Sequence, residues 1–271
     1  MSSSRLARWV GSHDILTFYC LAFASAWLGW IPSLLASLGA ARFQHPAWHL
    51  ALLLPAAGPA AAAVATDRLA GRAPPTFADR WARLAPRVAP LWYAVALAGP
   101  VLLLAANAAL SPGAAGNVPA GSPPPARALA TVAVLSLLAN PWEEVGWRGF
   151  ALRRLQARWH PLLATLAVGS LWAAWHLPIF FVATGPIAMA GIPALPWMAY
   201  ILAHSFVVTW LFNSTRQSVL VVALFHVAMN IAGAFFTVPS YGVLAGLELA
   251  IVLGLMLATG PTLRAPMPQR P

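Results

Sequence analysis

Charge is what this sequence has least of. Only 8% of its 271 residues are Asp, Glu, Lys or Arg, where soluble domains carry about 25%. So few charges cannot cover the surface of a water-soluble domain of this length. Long apolar runs in turn exclude a disordered chain. Acidic residues are the scarcest, six against 16 basic ones, and lysine is absent, so every basic residue is an arginine. Cys20 is the single cysteine, which excludes a disulfide framework and a cysteine-rich metal site. No basic stripe with interleaved aromatics accompanies the net charge of +10, so no nucleic-acid partner is expected.

What is present is hydrophobic: 60% of the residues, gathered into about eight runs at 15–38, 47–65, 90–110, 128–150, 161–182, 195–212, 219–238 and 242–258. A helix needs ~20 residues to cross the hydrocarbon core. The fold expected is therefore all-α, a polytopic transmembrane helical bundle with the lipid bilayer as its surroundings. The first run exceeds the ~7–15 residues of a signal-peptide core and is read as a retained helix. With eight spans, both termini share one side with the loops after spans two, four and six. All of the arginines except Arg42 and Arg127 then fall on that side, which the positive-inside rule makes cytoplasmic. Arginine without lysine, together with abundant Ala, Gly and Pro, fits a GC-rich bacterial genome. The location expected is a bacterial inner membrane, with both termini cytoplasmic. Residues 68–89 read as a basic cytoplasmic loop, and 111–125, rich in Pro and Gly, as an outward-facing linker.

Ionisable groups inside a bilayer are costly and mark function or a specific partner. Here they are Glu143, Glu144 and Arg148 in span four, His176 in span five, His204 in span six, His226 (with Asn230) in span seven, and Glu248 in span eight. Glu143 lies about ten residues before Arg153, and His226 about ten after Arg216, each ~15 Å from an interface at 1.5 Å per residue. If spans four and five run unbroken to a turn near Trp159 and His160, His176 sits level with Glu143. Asn230, at i+4, shares a helix face with His226. Glu144 and Arg148 stand at i and i+4 with the acid first, the favoured order for an ion pair, which leaves Glu143 free for chemistry. Pro141 is expected to kink span four beside it. No carboxylate is evident behind either His176 or His226. His204 reads as an interhelical hydrogen bonder. Glu248, near Gly242 and Gly246 in a GxxxG spacing, reads as an acid beside a helix-packing face.

Three motifs now stand in order: Glu143-Glu144-Val-Gly-Trp-Arg148 as EExxxR, Trp172-Ala-Ala-Trp-His176 in place of FxxxH, and His226-Val-Ala-Met-Asn230 as HxxxN. Together they resemble the CPBP family of intramembrane proteases, also called the type II CAAX prenyl endopeptidase family. The one departure, Trp172 where the family usually has Phe, keeps an aromatic wall. The resemblance covers roughly residues 128–238. It divides the chain into N-terminal helices (1–127), a catalytic core (128–238), and a last helix with its tail (239–271). It implies that Glu143 is the general base, that His176 helps hold the attacking water, and that His226 and Asn230 stabilise the oxyanion. Glu144, Arg148 and Trp172 support them, with Trp147 and Trp172 lining the site. The implied activity is hydrolysis of a peptide bond in a membrane-associated protein or peptide, with no cofactor. Other readings stay open at this stage. Glu143, His176 and His226 could instead bind zinc as a His–His–carboxylate set. The protein could be a non-proteolytic immunity or scaffold protein of the same fold, or a transporter whose carboxylate carries protons.

Overall fold

The computed structural model describes residues 4–73, 84–111, 126–236 and 238–265. Much of the basic loop and nearly all of the outward-facing linker therefore lie outside the described residues. Every regular element among the described residues is helical. A short helix, Arg5–Ser12, leads into eight long ones. These are α1 (Asp14–Ser37), α2 (Leu53–Leu69, preceded by a 3-10 stretch over Pro46–Leu52), α3 (Pro90–Leu110), α4 (Ala126–Glu144), α5 (Pro161–Trp175), α6 (Ala194–Ser214), α7 (Val219–Phe236) and α8 (Tyr241–Thr259).

Seven of these, counting the extensions of α2 and α5, are long and apolar enough to cross a membrane. The exception is α4, because Arg127, Glu143 and Glu144 interrupt its apolar sequence. Its outward face is nonetheless lipid-like, with Val134, Leu135, Leu137, Leu138 and Trp142 exposed. Helix α4 runs on without a break into a π-helical segment, Val145–Leu152, and a last α-turn, Arg153–Gln156. Helices pack in the order α1, α2, α4, α7, α3, α8, α6, α5, and α5 returns to α1. The helix with the two glutamates is thereby held between α2 and α7.

Two glycines let this packing close. A Cβ on Gly146, in the π-helical segment, would lie 2.7 Å from the Pro59 backbone carbonyl in α2. One on Gly169 in α5 would lie 2.8 Å from the Ser205 Cβ in α6. Gly146→Ala is expected to destabilise the protein by ~1–3 kcal/mol, the usual cost of overpacking, because backbone cannot move aside as a flexible side chain does. A thermal melt of the detergent-solubilised protein, with Gly254→Ala in open space as control, measures this.

One end of the bundle collects the arginines. Asp14 at the start of α1 and Asp67 near the end of α2 share Arg72 and Arg154 at 2.7–3.2 Å, and Arg158 reaches Asp14 at 3.3 Å. Arg153 donates to the Gln217 carbonyl at 3.1 Å. Ala265, beyond α8, donates its N–H to the Ser214 hydroxyl at 2.8 Å. The start of α1 and the ends of α2, the α4 extension, α6 and α8 thus meet at one end. Asp14 is buried at 2% side-chain exposure while Asp67 and the arginines are partly exposed. The Asp67 pairs therefore mainly hold position, whereas Asp14 depends on its arginines to offset its burial.

Span five differs from expectation. It is not one unbroken helix: α5 stops at Trp175, and Leu177–Phe181 continues as a 3-10 turn. Pro178 has no N–H to give to the helix and disfavours α-geometry in the residue before it. His176 therefore sits at a helix end, not in mid-span.

Candidate active site

The π-helical segment begins immediately after the two glutamates. Its wider turn shifts the helix register, a distortion that recurs at functional sites. Glu143 and Glu144, ~100° apart on the helix, face different partners. Glu144 is wholly buried and accepts from Arg148 Nη1 at 2.9 Å, so the expected i,i+4 pair is present, with both side chains at 0% exposure. The same Glu144 oxygen lies 2.9 Å from His226 Nδ1 on α7. Sequence reading saw no carboxylate behind either histidine; the structure corrects this for His226. The two residues are far apart in the chain, and only the packing of α4 against α7 joins them.

Glu143 accepts from the Trp172 indole N–H at 3.2 Å. Trp172 organises much of what surrounds it. The Arg148 guanidinium stacks over its ring at 4.5 Å, and the rings of His176 and His226 lie 5.7 and 5.4 Å away. Trp147, expected beside the site, is instead buried against Phe18, Tyr19 and Trp175. Its part is to pin the π-helical segment to α1 and α5.

His176 is held by its own helix end. Its backbone N–H goes to Ala173, which frees the Trp172 carbonyl to accept from His176 Nδ1 at 2.8 Å. A carbonyl can only accept, so Nδ1 carries a hydrogen, and in the neutral ring Nε2 presents a lone pair. Edge-on contacts with Trp175 and Trp197, 4.6 and 5.0 Å between ring centres, fix the ring plane.

A cavity of about 870 Å³ is lined by Glu143, Trp172, His176, His226 and Asn230, within the roughly 300–1,000 Å³ usual for ligand sites. Asn230 is exposed and lines the same cavity one turn beyond His226. The residues singled out in the sequence thus meet around one space, with Glu144 and Arg148 packed behind them. A second cavity of about 280 Å³, between α2, α4 and the end of α5, shares Glu143 and His176.

Among the described residues no three His, Cys, Asp or Glu side chains converge to hold a metal ion.

A pairing that sequence reading missed is His204 Nδ1 with Glu248 Oε1 at 2.7 Å, both buried. Glu248 does not sit beside a packed GxxxG face. A Cβ on Gly246 would meet nothing, and one on Gly242 would meet only the Ser240 hydroxyl at 3.8 Å. The signal was available: two ionisable residues in separate apolar spans, each without a partner, are expected to pair.

Residues 125–232 match the family described as Type II CAAX prenyl endopeptidase Rce1-like. The match contains all three motifs, and with them Glu143, Trp172, His176, His226 and Asn230. This stretch is similar to the CPBP/CAAX protease family. A curated member, CAAX prenyl protease 2 of Methanococcus maripaludis, is 34% identical over 104 residues, 37% of this chain. The match spans 38% of that relative's length. Helices α1–α3 and α8 lie outside the part of the chain that matches the CPBP/CAAX family.

Proposed function

We propose that this protein is an intramembrane endopeptidase that hydrolyses a peptide bond of a membrane-associated protein or peptide with water activated by Glu143. The observation that carries this reading is that Glu143 and His176 line one roomy cavity, while Glu144 and Arg148 pair behind it. A water held there donates one hydrogen to His176 Nε2 and the other to the Glu143 carboxylate, so its remaining lone pair points at the substrate carbonyl carbon. Glu143 takes the proton as the C–O bond forms. It then returns that proton to the departing amine nitrogen as the C–N bond breaks.

His226 and the Asn230 amide are the proposed oxyanion partners, with the His226 ring held from behind by Glu144 at 2.9 Å from its Nδ1. The protein is proposed to lie in a bacterial inner membrane with its arginine-rich end, and both termini, in the cytoplasm.

The test compares membrane-protein termini by mass spectrometry in cells expressing wild type or Glu143→Gln at equal levels. Termini present only with wild type support proteolysis and supply candidate substrates. Identical termini, under a growth condition where the wild type has a phenotype, favour a non-proteolytic immunity or scaffold role.

Trp172→Phe gives a narrower prediction. It keeps the aromatic wall and removes the N–H bond to Glu143. Cleavage is expected to slow about tenfold, the worth of one hydrogen bond to a charged group. Initial rates on a substrate identified above, at unchanged melting temperature, would show it.

A further inference from the structure

Among the polar groups of the large cavity that the mechanism leaves unused, one is ionisable in the middle of a span and held by a buried acid. His204, in the middle of α6, lines that cavity, and Glu248 on α8 holds its Nδ1 from behind. Much of the wall around it is apolar or aromatic, including Tyr200, Tyr241 and Leu244. Helix packing does not call for the pair. Helices α6 and α8 already bury Ile201, Val208, Leu244, Ala245 and Val252 in the common core. Interhelical hydrogen bonds add little stability in membranes, while an acid in mid-span is costly to insert.

The hydrogen on the other ring nitrogen follows from charge. Glu248 and His204 are both almost fully buried, at 0% and 1% exposure, and an uncompensated charge there is heavily penalised. The pair is therefore neutral as a whole. Either Glu248 is a carboxylic acid giving its O–H to Nδ1, or it is a carboxylate accepting from an imidazolium. In both forms Nε2, on the ring edge away from Glu248, carries a hydrogen. The remaining neutral form, an acid accepting from Nδ1–H, would strand its own O–H on Oε2, which is buried and has no partner among the described residues. Trp172 stands 6.2 Å away between ring centres, and Trp172 holds Glu143. A donor is thus fixed one indole away from the proposed base.

We infer that His204, oriented by Glu248, is a substrate-binding residue whose Nε2–H donates to a main-chain carbonyl oxygen of the polypeptide in the cavity, and so sets which peptide bond lies over Glu143. This rests on the endopeptidase reading above. The probe is a synthetic peptide spanning the cleavage site most dependent on Glu143 in the comparison of termini. The full-length protein in detergent is assayed as wild type, His204→Phe and Glu248→Leu.

His204→Phe keeps a ring of similar size and is expected to raise KM about five- to tenfold, with kcat within twofold of wild type. Glu248→Leu is expected to raise KM in the same direction by less, because the freed imidazole presents an N–H only part of the time. A KM unchanged in folded His204→Phe overturns the inference, as does a fall in kcat alone. A lowered melting temperature with both constants unchanged would mean that the pair only joins α6 to α8. If His204→Phe does not fold, Glu248→Leu decides, and an unchanged KM there also overturns it. Absence of any Glu143-dependent terminus is a separate result. It removes the proteolytic reading, and this inference with it.

Discussion

Glu143→Gln is expected to lower cleavage by roughly 10²–10⁴-fold, the usual contribution of a positioned general base, at an unchanged amount of protein in the membrane. The substitution is nearly isosteric, and the amide oxygen still accepts from the Trp172 N–H that holds Glu143 at 3.2 Å. The group lost is a carboxylate able to take the water's proton and hand it to the amine. Among the described residues Glu143 has no ion-pair partner within 4.0 Å, so little stability depends on its charge. The measurement is the initial rate on a substrate peptide with purified wild type and Glu143→Gln, alongside a melting curve for each. A second arm adds a membrane-permeant chelator to the wild type. Activity is expected to survive it, because the proposed mechanism activates water with Glu143 and uses no metal ion. A fast Glu143→Gln enzyme, or one stopped by chelation, would sink the glutamate mechanism.

Arg148→Ala should be the most damaging substitution for folding. It leaves Glu144 as an uncompensated carboxylate at 0% exposure, a change that costs ~3–5 kcal/mol for a buried pair out of the ~5–15 kcal/mol that holds a typical protein folded. The guanidinium also stacks on Trp172 at 4.5 Å, so its loss loosens the ring that positions Glu143. Arg148→Lys is not expected to rescue it, since an ammonium is a point donor without a planar face. Removing both charges, as in Glu144→Gln with Arg148→Met, should restore the folded amount, because a buried pair replaced by neutral groups of similar volume costs little. The double variant should still be inactive, since His226 loses the carboxylate 2.9 Å from its Nδ1. Folded protein in membranes, melting temperature and rate are the three readouts. An Arg148→Ala protein that melts like wild type would show that the pair does not support the fold.

How much of this was legible beforehand depends on distance along the chain. The Glu144–Arg148 pair spans four residues of one helix, so helical geometry alone places it. That His226 and Asn230 line one cavity follows from the same i,i+4 rule. The break at His176 was foreshadowed by Pro178, yet the apolar run continues through it and hides it. The Glu144–His226 contact bridges 82 residues and the His204–Glu248 contact 44. Periodicity within a segment carries no information about which helix becomes whose neighbour. Trp147 and Trp172 looked alike as indoles flanking the motifs. One packs against Phe18 and Tyr19, and the other turns to Glu143.

Composition and spacing by themselves determined that this chain is a helical membrane protein, that its arginines separate by side, and which polar residues were candidates for chemistry. They could do so because the bilayer excludes unpaired backbone and penalises every charge, so each exception is informative. Tertiary structure decided the division of labour: Glu144 serves His226 as well as Arg148, Trp172 holds Glu143, and Glu248 turns His204 toward the cavity. These assignments depend on which helix faces register against one another, and that is settled by packing contacts such as the close approach of Gly146 to Pro59, which no local rule contains.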